Sequence, residues 1–143
     1  MQASSVAVCI YLDKQCGAAD GTGTCEARPG GCPSFYQPVC GCDGQVYPNE
    51  CVAQSAGTDV SVFNSCTPPS GYFACGWGFC PINGTYCART EGGPVGSPGS
   101  YSCAPLPSGC GTSPTCSCLS GQTCGSSCTG TASTGFTLTC YVP

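Results

Sequence analysis

The stretch CPSFYQPVCGCDGQVYPNEC, Cys32 to Cys51, decides how the rest of the chain is read. Its cysteines stand at positions 32, 40, 42 and 51. Asp43-Gly44 reads as a tight turn, because glycine supplies the positive φ it needs. Asn49 suits a helix N-cap, and Glu50 puts a negative charge in the first turn, where the helix dipole favours it. Cys51, Val52, Gln54 and Ser55 continue the helix, and Gly57 is its natural stop. Beyond it, Asp59–Phe63 (DVSVF) alternates as a strand does.

The composition around this stretch narrows the class. The 143 residues include 18 cysteines and no histidine. Cysteine at this density reads as a disulfide framework made in an oxidising compartment: secreted, extracellular or at a cell surface. The count is even, so every cysteine can pair. Each closed loop stabilises by roughly 2–4 kcal/mol, and reduction should unfold the chain. The competing use of cysteine is a metal cluster. Structural zinc sites pair cysteines two to four residues apart, often with histidine. Here C-x-x-C is absent, and the closest pairs are Cys40-Gly-Cys42 and Cys116-Ser-Cys118. Neither metal nor cofactor is expected.

Charged residues make up 7% of the chain and net charge is -4. Lys14, Arg28 and Arg89 are the whole basic inventory. Three scattered cations cannot form a nucleic-acid patch or hold an acidic membrane surface. No stretch is long and apolar enough to span a membrane as a helix. The opening MQASSVAVCIYL lacks a basic leader and a long apolar run, so a mature form freed of its export signal is expected. Solubility falls to Ser, Thr, Gly and backbone amides, which leaves self-association open.

Thr67-Pro68-Pro69-Ser70 is the natural boundary, since two prolines stiffen the chain and stop any strand or helix. Eight cysteines precede it and ten follow, so each half can close its own bridges. The expected domains are 1–66, with an added N-terminal segment 1–24, then linker 67–70, then 71–143. Asp20-Gly21 reads as a hairpin turn and not as a calcium loop, which needs several acidic oxygens at alternate positions. The second half shows no helix signal, and Gly92 to Gly99 reads as a loop. Both chain ends read as strands: Val6, Val8, Ile10 and Leu12 share one face, and Phe136, Leu138 and Cys140 another. Such strands pair within their own module or add to a neighbouring subunit.

The spacing of Cys32, Cys40, Tyr47, Asn49 and Cys51, closed by Cys66, resembles the Kazal-type serine protease inhibitors over about residues 25 to 66. The longer string, CGAAD and GTC before Cys32 and AG after Cys51, is similar to a branch of Kazal-like modules in secreted cysteine-rich bacterial proteins. The resemblance implies a small disulfide-rich fold. It would have a Kazal-like α+β module, with one short helix and a small antiparallel sheet; the second half, outside the resemblance, reads from its cysteine density and strand pattern as a disulfide-rich β or irregular module. It implies bridges Cys32–Cys51 and Cys40–Cys66. Two departures are plain: Ser55 stands where the family has its fifth cysteine, and Cys42 is additional. The simplest repair pairs Cys25–Cys42 and leaves Cys9–Cys16.

In the family the chain after the second cysteine is the inhibitory loop, lying in a protease cleft as a substrate would. Carried over, Pro33 leads into Ser34, which fills the primary specificity pocket, with Phe35, Tyr36 and Gln37 on the leaving side. Asn49 would brace the loop, with Tyr47 in support. Ser34 is small and polar and fits a shallow pocket of elastase or subtilisin type, not the trypsin pocket with its buried carboxylate.

Catalysis is disfavoured. Without histidine there is no Ser-His-Asp or Cys-His arrangement. The carboxylates Asp13, Asp20, Glu26, Asp43, Glu50, Asp59 and Glu91 sit mostly in turn or cap contexts. Trp77 reads as core of a small disulfide domain more readily than as a stacking platform. Asn83-Gly84-Thr85 matches a glycosylation sequon, a three-residue signal only. Two non-enzymatic readings follow: a substrate-like serine protease inhibitor, and a structural subunit of an extracellular fibre or surface assembly built through its end strands.

Overall fold

A computed structural model describes residues 7–18, 22–92, 99–119 and 127–141. The chain divides into two compact units. The first holds the described residues to Thr67 together with Gly76–Gly78; the second holds Pro68–Cys75 and the described residues from Phe79 onward. The boundary thus falls at the Thr67-Pro68 junction, and three residues from beyond it are counted with the first unit.

The first unit opens with an antiparallel pair, β1 (Ala7–Tyr11) and β2 (Gly23–Ala27). Cys9 faces Cys25 in this register. The Leu12 amide donates to Thr22 O at 3.1 Å. Bonded and non-bonded pairs alternate along an antiparallel ladder, so Cys9 and Cys25 form a non-bonded pair, the closer kind. Their Cα atoms are 3.9 Å apart and the two are bridged. Cys16 then reaches Cys42, with Cα atoms 5.7 Å apart. These bridges replace the expected Cys25–Cys42 and Cys9–Cys16. The cause is the hairpin register, which uses up Cys25 and leaves Cys16 and Cys42 to each other.

The one-face reading of β1 also needs correction. Val6 and the Asp20-Gly21 turn lie outside the described residues. Val8, Cys9 and Tyr11 are all buried, Ile10 is half-buried, and Leu12 is 71% exposed. The strand ends at Tyr11, and the chain turns through Lys14 and Cys16, both at positive φ (57° and 59°).

A short hairpin follows, β3 (Val39–Cys40) with β4 (Val46–Tyr47), turning through Gly44 at φ 82°. Helix α1 (Glu50–Ser55) starts from Asn49, whose side chain accepts from the Val52 amide. Gly57, at φ +90°, takes the chain away from the helix end. Val39, Ala53 and Val60 form the core, with Tyr47 and Trp77 packed at its margin. The Trp77 carbonyl accepts from the Cys40 amide at 2.8 Å, and Val39 pairs with Gly78. Cys32 is bridged to Cys51, and Cys40 to Cys66.

The strand expected over Asp59–Phe63 does not form. Val60 makes a single bridge to Gly41. Asp59, Val60 and Ser61 are buried in succession, so their alternating polarity marks no single wet face. The chain then turns through Asn64 at φ 46°, whose amide nitrogen donates to Gly76 O and Gly78 O, each at 2.9 Å.

The second unit contains the hairpin of β5 (Tyr72–Cys75) and β6 (Gly78–Pro81), then β7 (Thr85–Glu91), β8 (Ser100–Pro105), β9 (Ser127–Thr131) and β10 (Gly135–Tyr141). Four of these form a sheet in the order β8-β7-β10-β9, antiparallel except for the parallel β7/β10 pair. Residues 93–98 of the expected loop lie outside the described residues. Two 3-10 turns, Ser108–Cys110 and Cys116–Leu119, appear where no helix was expected. Such short pieces need no helical propensity, and the bridges Cys110–Cys118 and Cys116–Cys128 staple them. Cys75–Cys87 and Cys80–Cys103 tie the earlier strands. Phe136 and Leu138 bury beside Tyr86, Cys110 and Leu119, while Phe73 packs with Cys75, Cys80 and Cys87. Every described cysteine is disulfide-bonded.

Candidate functional site

Between Cys32 and Val39 the chain forms no regular element, and Pro33, Ser34, Phe35, Tyr36 and Gln37 are all exposed. Phe35 is 53% and Tyr36 57% exposed. The flanks are fixed. The Cys32–Cys51 bridge ties one end to α1. The other end runs into buried Pro38, Val39 and Cys40, and Cys40 is bridged to Cys66. The Gln37 amide donates to Pro48 O at 2.7 Å.

Asn49 holds the middle. It is 1% exposed. Its Nδ2 donates to Pro33 O at 3.1 Å and to Phe35 O at 2.9 Å. Its Oδ1 accepts from the Val52 amide at 3.0 Å. A primary amide has two donor hydrogens and one acceptor oxygen, and all are used here. One side chain therefore caps the helix and grips the two carbonyls on either side of Ser34. The backbone is held while the side chains stay in solvent. A loop so ordered loses little further entropy on docking.

Tyr47 secures the adjoining hairpin. Its hydroxyl donates to Asp43 Oδ2 at 2.5 Å, in the β3–β4 turn and not in the loop. Asp43 Oδ1 also accepts from the Gln45 amide at 3.0 Å. Burial first, then the hydrogen bond and negative charge of Asp43, push the Tyr47 phenol up to about 12. Gly41 leaves the space this pair needs, since a Cβ there would meet the Asp43 carboxylate and the Tyr47 ring.

The sequence reading did not single out the two cations beside α1, Lys14 and Arg28. Lys14 Nζ lies 3.5 Å from Asp59 Oδ1 and 3.6 Å from Glu50 Oε2. Asp59 is 3% exposed, and its Oδ2 accepts from the Tyr11 amide at 2.9 Å. Arg28 Nε donates to Ala7 O at 3.1 Å, and its guanidinium lies against Gly57 at the end of the helix. Ser55, at the family's cysteine position on this helix, is exposed. The available signal was scarcity: Lys14 and Arg28 are two of only three cations in the chain.

The loop is thus held between two bridges and clasped by a buried asparagine. Residues 25–62 match the Kazal-type serine protease inhibitor domain. Serine protease inhibitor Kazal-type 1 of Sus scrofa is 59% identical over 29 residues, covering 20% of this chain and 52% of that protein. Trypsin inhibitor ClTI-1 of Gallus gallus is 65% identical over 26 residues, 18% of this chain and 47% of its own. Serine protease inhibitor Kazal-type 1 of Homo sapiens is 57% identical over 28 residues, covering 20% and 35%. The chain thus spans about half the length of the first of these relatives. No solved structure matches. The chain contains a Kazal-like domain, followed by a β-rich disulfide module outside the matched family domain. Kazal-type inhibitors are not enzymes, and they act on serine proteases. Among the described residues, no helix is long and apolar enough to cross a membrane.

Proposed function

We propose that the protein is a secreted, substrate-like inhibitor of serine proteases, acting through Pro33–Gln37 with Ser34 in the primary specificity pocket. The clasp of Asn49 on the carbonyls of Pro33 and Phe35 carries this reading. It fixes the backbone around Ser34 while leaving Ser34, Phe35 and Tyr36 exposed to a partner. A small hydroxyl side chain at the central position fits proteases of elastase or subtilisin type. Exposed Phe35 and Tyr36 supply apolar contact area beside it. Secretion follows from the density of disulfides.

Assembly through end strands has less support. Strand β10 is already bonded on both edges, by β7 and β9, which leaves the second edge of β1, in its two-stranded sheet, as the edge an end strand could offer.

The test titrates an elastase and a subtilisin with the oxidised protein, and trypsin with a Ser34→Arg variant. Stoichiometric inhibition that is lost on reduction is expected. Arginine at position 34 should bring trypsin into range, because the trypsin pocket ends in a carboxylate. Failure of both proteins against all three proteases would refute the reading.

A further inference from the structure

We infer that Lys14, in the added N-terminal segment, is a positioning residue for the inhibitory loop, acting through the first residue of the helix that carries Asn49. The inference rests on the proposed inhibitory role of that loop. Lys14 lies outside the matched domain, which begins at residue 25.

Asp59 is buried, and its Oδ1 has no hydrogen-bond partner in the described structure. A buried carboxylate needs a compensating charge, and Lys14 Nζ at 3.5 Å is the cation placed to supply it. The Lys14 backbone is fixed as well: its amide donates to Tyr11 O at 3.2 Å, and its carbonyl accepts from the Val62 amide at 2.8 Å. Two residues on, Cys16 is bridged to Cys42 in the β3–β4 turn. The lysine is thus anchored at backbone and side chain.

From this anchor the ammonium also reaches Glu50 Oε2 at 3.6 Å. Glu50 is the first residue of α1 and is bonded directly to Asn49. Asn49 is the residue that clasps Pro33 O and Phe35 O. The path from Lys14 to the loop therefore runs through one ion pair, one peptide unit and one amide side chain. It stiffens the helix start on a helix that carries Ser55 in place of the family's cysteine.

The test is a double-mutant cycle. Glu50→Gln breaks the outer pair and leaves Lys14 on Asp59. Lys14→Met combined with Asp59→Asn removes the cation without stranding a buried charge, and the new amide can still accept from Tyr11. Two quantities are read on folded protein: hydrogen exchange of the Gln37 amide, and the rate at which a target protease cleaves the Ser34–Phe35 bond. A half-exposed ion pair supports a change of about 1.5- to 5-fold. Glu50→Gln should accelerate both by that factor in the native background and by nothing extra in the Lys14→Met/Asp59→Asn background. Lys14→Arg should behave as native. Equal effects of Glu50→Gln in both backgrounds would overturn the inference, since helix-dipole loss alone would then explain them. Exchange needs no protease, so it decides the inference even if the native protein inhibits nothing, an outcome that would instead refute the inhibitor reading.

Discussion

Replacing Asn49 by aspartate separates the two tasks of its side chain. Aspartate keeps the oxygen that accepts from the Val52 amide and is as good an N-cap. It loses both hydrogens given to Pro33 O and Phe35 O. Each such bond contributes a net ~0.5–1.5 kcal/mol, so the clasp as a whole is worth about 1–3 kcal/mol, roughly 5- to 150-fold in binding. A carboxylate facing two carbonyl oxygens also repels them, which points to the upper part of the range. Asn49→Ala loses the cap as well, a further ~0.5–2 kcal/mol that should appear in thermal stability. The assay pairs the Kd for an inhibited protease with the melting temperature. Asn49→Asp should bind at least about fivefold more weakly and should also lower Tm, because the lost bonds and the buried carboxylate weaken the free fold as well; Asn49→Ala should lose the cap in addition. If Asn49→Asp binds as tightly as native, the clasp does not preorganise the loop and the argument for it fails.

Further outcomes follow from neighbouring features. Peptide mapping of the oxidised protein should recover Cys9–Cys25 and Cys16–Cys42; finding Cys9–Cys16 would refute the β1/β2 register. Replacing Cys16 and Cys42 together by serine opens a loop of 26 residues and should cost roughly 3.5 kcal/mol in denaturant unfolding. Tyr47 should ionise later than an ordinary tyrosine, near pH 12. Its contribution to stability is complete below about pH 10 and is lost as pH rises toward 12, because the unfolded chain gives up the proton first. Tyr47→Phe should abolish that late step in tyrosinate absorbance. Gly57→Ala should destabilise by about 1–3 kcal/mol in thermal unfolding, since the position has φ +90° and a methyl there meets the Arg28 guanidinium.

The elements written in consecutive residues were legible. Asn49 and Gly57 bracket α1, Asp43-Gly44 turns the hairpin, and Phe136 and Leu138 alternate into a core. Each depends on chemistry within a few positions. The first-unit bridges beyond the family pattern were not legible, because Cys9–Cys25 depends on which residues of β1 face which of β2. Spacing alone permits several pairings. The segment Asp59–Phe63 misled for a related reason: alternating polarity implies one wet face, yet the Asp59 carboxylate is buried on an ion pair and a backbone amide. For the candidate site, Pro33 to Gln37 could be named because they are contiguous. Lys14 and Asp59 could not, because they are 45 positions apart and meet only in the fold.

The central place of β10 sets the order of events during synthesis. Cys87 in β7 must wait for Thr137, fifty residues further on, before its parallel neighbour exists. Until then, β7 and β8 can form a hairpin but the four-stranded sheet lacks its middle. Among the described residues, the first unit draws on nothing later than Gly78. An emerging chain can therefore oxidise its inhibitor-like unit early, while the distal cysteines remain exposed to wrong partners. Long-range parallel pairing is slow to form, so the yield of correctly bridged protein should be limited by the distal module and by the thiol-disulfide exchange available to correct it.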